Sequence, residues 1–121
     1  MRNEKPDIVP RTFQFALRVV QLCTQLIEAS GVQRTFGYQL LRSGTAIGSI
    51  VEEAQAAHDR SDFAHRMTHA LKEARQTNYW LRLLLECEVL PKPVVQPLLD
   101  ESTEIMKILG AITATTYRSM S

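Results

Sequence analysis

Residues 61–90 read SDFAHRMTHALKEARQTNYWLRLLLECEVL, thirty positions with neither Gly nor Pro. Phe63, Met67, Ala70, Leu71, Ala74, Leu81, Leu85 and Glu88 recur at steps of three and four. All but Glu88 therefore form one apolar stripe on a long helix. Ser61 is a suitable N-cap, and Asp62 places negative charge in the first turn, where the helix dipole favours it. Such a helix is about 40 Å long. It cannot bury its stripe alone, so the rest of the chain must pack along it.

Working outward, the segment before it predicts a helix over 35–57. Phe36, Leu40, Ser43, Ile47, Val51 and Ala54 form its inner face. Gly44, Thr45, Ala46, Gly48, Ser49 and Ala56 give it a small-residue face that another backbone could approach closely, within the chain or between chains. GTAIGS has neither the spacing nor the Lys of a phosphate loop. Beyond Leu90, the run Pro91-Lys92-Pro93 ends the long helix. The last helix is expected over 94–117, with Val95, Leu98, Ser102, Ile105, Leu109 and Ile112 inward. Pro97 lies one turn in, removing an early hydrogen bond or moving the effective start.

The first helix is expected over 12–29, after an irregular tail at 1–10. It carries two apolar seams, Phe13–Leu17–Val20–Thr24–Ile27 and Phe15–Val19–Leu22–Leu26, bridged by Ala16 and Cys23. An apolar arc that wide exceeds what one bundle core uses. Either the helix is sunk deep in its own core, or one seam faces a second subunit. The fold expected is an all-α, antiparallel up-down four-helix bundle over 11–118, one domain in 121 residues. The surface assigned to contact between copies is Phe15, Val19, Leu22 and Leu26, together with Trp80, Leu83 and Cys87 on a side patch of the third helix.

Net charge is +1, from 14 basic and 13 acidic residues. That balance argues against a protein whose whole surface grips nucleic acid, while leaving room for a local basic patch. Residues 1–10 hold no signal-peptide core, and no apolar run reaches a membrane span. Cys23 and Cys87 are far apart with no CxxC, as for thiols in a reducing compartment. The expected location is cytoplasmic, with no membrane partner.

Lys72, Arg75 and Arg82 share a face with Tyr79 between them, the pattern that suits RNA or single-stranded DNA. Arg42 and Arg66 are further candidates for that contact. Glu86 on the same face works against it. His65, His69 and Glu73 have the i, i+4, i+8 spacing of metal ligands, but they lie off the apolar stripe and read as surface. No Ser, Thr or Cys sits in a nucleophile setting, and adjacent Glu52 and Glu53 diverge on a helix. No catalytic, metal or cofactor site is assigned and no small-molecule substrate is expected.

Several short pieces within residues 40–86 resemble one family. They are Arg42-Ser43-Gly44-Thr45, Ile47-Gly48, Val51-Glu52-Glu53-Ala54, Asp62-Phe63, Ala70-Leu71-Lys72-Glu73-Ala74-Arg75 and Tyr79-Trp80-Leu81-Arg82. In that order they resemble the four-helix-bundle proteins of intervening sequences in large-subunit (23S) rRNA genes, over about a third of the chain. Ile50 stands where that family usually has Asn, so a polar contact is either absent or replaced by packing. The resemblance implies a small bacterial homopentamer of unsettled role. It also implies kinship with accessory variability determinant proteins of diversity-generating retroelements, which bind a reverse transcriptase and nucleic acid. The functional expectation is a non-enzymatic bundle that self-assembles into a ring and acts as scaffold or adaptor. The alternative is an accessory protein that binds RNA or single-stranded DNA, or a nucleic-acid enzyme.

Overall fold

The computed structural model describes residues 7–120. Four helices follow one another: α1 (Ile8–Glu28), α2 (Val32–Ala54), α3 (Arg60–Glu86) and α4 (Lys92–Met120). α1 begins earlier than the sequence suggested. Asp7 caps it by accepting a hydrogen bond from the Val9 N–H at 3.3 Å. Pro10 is tolerated in the first turn, where backbone N–H groups have no intrahelical partner. The expected irregular tail thus gives way to helix at residues 8–10, and residues 1–6 lie outside the described part.

The other boundaries shift for equally local reasons. Asp59, not Ser61, caps α3, accepting from the Asp62 N–H at 2.8 Å. α3 stops at Glu86 because Glu88 turns left-handed, with φ 55°. The Val89 and Glu88 N–H groups then bond back to the carbonyls of Leu84 and Leu85, the pairing of a Schellman ending. Pro97 lacks the N–H that would bond the Pro93 carbonyl, but it does not move the start: α4 runs through it, with the residue exposed. Between α1 and α2, Gly31 takes φ 67°. Arg34 donates from Nε to the carbonyls of Ile27 and Ala29, both at 3.1 Å, and so closes the end of α1.

The packing is that of an all-α, antiparallel four-helix bundle. α1 lies against α2, α2 against α3 and α3 against α4, while α1 and α4 meet along a shorter line; α1 and α3 are diagonal. The core contains Phe15, Val19, Leu26, Leu40, Ile47, Val51, Met67, Leu81, Leu84, Ile105 and Leu109, each essentially inaccessible. The inner faces expected for α2, α3 and α4 are the observed ones, with Phe36, Phe63, Leu85 and Ile112 at their half-buried margins. Ile50 packs half-buried against the core, so apolar contact occupies that position.

Of the small-residue face of α2, the glycines are used inside the chain, together with Gly37, while Ser49 and Ala56 stay exposed. A Cβ on Gly44 would come within 2.8 Å of Val19, one on Gly37 within 2.8 Å of Ile27, and one on Gly48 within 3.1 Å of the Thr12 carbonyl oxygen. The backbones of α1 and α2 therefore approach to a distance only glycine allows. The weaker α1–α4 seam is pinned by Arg11, whose Nε and Nη2 donate to Glu101 at 2.6 and 3.0 Å. A buried polar layer crosses the middle. The Thr77 hydroxyl bonds the Ser43 hydroxyl at 2.9 Å, and Asn78 Nδ2 donates to Ser102 at 2.9 Å and to Thr103 at 3.1 Å.

Candidate functional site

Two surfaces stand out among the described residues once the core is built. The first is the outer side of α1. Phe13, Leu17 and Val20, spaced i, i+4 and i+7, are 52%, 44% and 43% exposed. This reverses the seam assigned from sequence. Phe15, Val19, Leu22 and Leu26, expected between copies, lie in the chain's own core. The reason is the glycine face of α2, which accepts Val19 at Gly44 and Leu26 beside Gly37 and so selects the inward seam. The rest of that expected surface divides. Trp80 is half-buried, its ring 5.8 Å from Phe36 and 5.6 Å from Tyr79, Leu83 is half-buried, and Cys87 is exposed. Burial pushes the Cys23 thiol up to about 12.

The second surface is the outer face of α3. A shallow depression of about 580 Å³ is lined by Gln39 and Arg42 from α2 and by Arg75, Gln76, Tyr79, Trp80 and Arg82 from α3. Four of the residues singled out from sequence, Arg42, Arg75, Tyr79 and Arg82, therefore meet in one place. No carboxylate lines it. Lys72 is exposed one turn before Arg75 on the same helix. Arg66 is not part of the group, being held by Asp62 at 3.0 Å and by Glu53 at 4.0 Å.

The cations are positioned unequally. Arg82 donates from Nε to Asn78 Oδ1 at 3.0 Å, and its guanidinium carbon is 5.8 Å from the centre of the Tyr79 ring. Asn78 is itself anchored to α4, so Arg82 is braced from inside the bundle. This bracing role of Asn78 was not read from the sequence; its polar side chain within an apolar stripe was the available signal. Arg42 donates to Gln76 at 3.4 Å and has Glu73 3.8 Å away, which partly neutralises it. Arg75 makes no ion pair among the described residues. Tyr79 is 49% exposed. Unpaired guanidiniums beside an open ring can hold an anion and a flat group together.

The histidine face gathers nothing comparable. His65 is exposed, and His69 lies 3.7 Å from Glu73. Among the described residues no three His, Cys, Asp or Glu side chains form a group able to hold a metal ion. No helix among them is long and apolar enough to cross a membrane.

The 23S rRNA-intervening sequence protein family model matches residues 4–111. Among solved structures, the chain is similar to a protein of unknown function from the S23 ribosomal protein family of Bacteroides thetaiotaomicron. The two share 37% identity over 88% of this chain and 98% of that one, with a TM-score of 0.81. No curated protein matches the chain.

Proposed function

The chain belongs to the 23S rRNA-intervening sequence protein family, and from that premise we propose that it is a non-enzymatic, self-assembling bundle that serves as scaffold or adaptor in the cytoplasm. Copies associate by seating the outer side of α1 against a different face of the neighbouring copy, a heterologous contact that closes a ring, for which the family resemblance implies five subunits. The proposal extends to kinship with the retroelement accessory proteins.

One observation carries the reading. Phe13, Leu17 and Val20 present a continuous apolar stripe of about 10 Å on a helix whose opposite side already fills the core. A stripe of that kind on a soluble domain marks a contact surface. Near-zero net charge leaves little repulsion between copies.

Light scattering on the purified protein and on Leu17→Glu tests it. The wild type is expected to have the mass of an oligomer and the variant that of a folded monomer. A wild type of monomer mass, or a variant that assembles unchanged, refutes it.

A further inference from the structure

We propose that the outer face of α3 binds a single strand of nucleic acid, with backbone phosphates on Arg42, Arg75 and Arg82 and a base stacked on Tyr79. The depression they line contains three guanidiniums and no carboxylate. Glu73, 3.8 Å from Arg42, offsets part of that charge; the other two cations keep theirs: among the described residues Arg75 makes no ion pair, and Arg82 is bonded to the neutral Asn78 amide and lies over the Tyr79 ring. The brace from Asn78 to Ser102 and Thr103 holds Arg82 in place before any ligand arrives, which lowers the ordering cost of binding.

The spacing selects a polymer over a single phosphate. Arg75 and Arg82 are seven residues apart, about 10 Å along the helix, and Lys72 extends the row to about 15 Å. One phosphate cannot reach across that length, whereas a chain of phosphates can. The ring selects a single strand over a duplex. Tyr79 sits between the cations with half its surface open, and a base reaches such a ring only when it has left the stack of a double helix. An acidic peptide would satisfy the guanidiniums but carries no flat group beside each charge. A nucleotide carries both.

Trp80 is the chain's only tryptophan and lines the depression, so its fluorescence reports occupancy. A short oligouridylate should change the emission saturably, with an affinity that falls steeply as salt is raised. Arg75→Ala, which breaks no hydrogen bond or ion pair among the described residues, should weaken binding severalfold and lower the salt slope by about one. Adding Arg82→Ala should weaken it further. Tyr79→Ala should weaken the oligonucleotide by about five- to a hundredfold while leaving inorganic polyphosphate unaffected. The same titration in the Leu17→Glu background separates this site from assembly through α1. The proposal is overturned if the oligonucleotide produces no change at low salt, if a duplex binds as tightly as the single strand, or if Tyr79→Ala weakens polyphosphate and oligonucleotide alike.

Discussion

Arg11 and Glu101 join the two helices that otherwise meet least. The hydrogen bond from Arg11 holds the Glu101 carboxyl below its ordinary value of 4.5, outweighing the opposing effect of burial. A lowered carboxyl contributes stability that is complete above the ordinary value and is lost as pH falls through the lowered one. Glu101→Gln should therefore reduce stability at neutral pH by about 1 kcal/mol. It should also flatten the loss of stability on acidification below the ordinary glutamate value, as followed by urea unfolding at a series of pH values. The two cysteines make a second residue-scale comparison. Cys87 is exposed and Cys23 buried, with its thiol raised to about 12. A maleimide should label Cys87 in the native protein and Cys23 only after unfolding. Labelling of Cys23 at the same rate would mean that α1 is not seated as described.

Helix ends and helix contacts belong to the next scale. Glu88 ends α3 in a left-handed conformation that penalises every residue with a Cβ. Glu88→Gly should raise stability by about 0.5–1 kcal/mol, read as a higher urea midpoint at unchanged slope. Gly44→Ala should do the reverse. Its gain in helix propensity is about 1 kcal/mol, but the new methyl meets the stiff Val19 side chain at 2.8 Å. Overpacking of that kind destabilises by about 1–3 kcal/mol, so the net change in thermal unfolding should be downward.

The same contact explains what could be read beforehand. The inward faces of α2, α3 and α4 were visible because each carries one dominant apolar stripe, the side patch of α3 being confined to its C-terminal half. α1 carries two, and periodicity along one helix cannot say which of them turns inward. That choice is made by the glycines of α2, a relation between segments. Helix ends were misplaced where a cap lies upstream of a proline, as with Asp7 before Pro10 at the start of α1, or where a non-glycine residue adopts the left-handed turn, as with Glu88. The basic face was legible because Lys72, Arg75, Tyr79 and Arg82 share one helix. The addition of Arg42 across the α2–α3 groove, and the loss of Arg66 to Asp62, needed the packed molecule.

At the scale of the whole molecule, the bundle separates its two uncommitted surfaces. The apolar stripe lies outside α1, the cationic depression outside α3, and these helices are diagonal. A ring that leaves the basic face open would display several copies of it and gain by multivalency. The two seams of α1 also make distinct failures. Phe15→Ala removes a core side chain and should lower stability by about 3–5 kcal/mol. Leu17→Glu changes an exposed position and should leave monomer stability within about 0.5 kcal/mol.

Sedimentation velocity of the unmodified protein at micromolar concentration, run beside Leu17→Glu, tests the central claim most directly. A single oligomeric boundary is expected for the wild type, and a slower, monomeric boundary for the variant. A monomeric boundary for the wild type would contradict it.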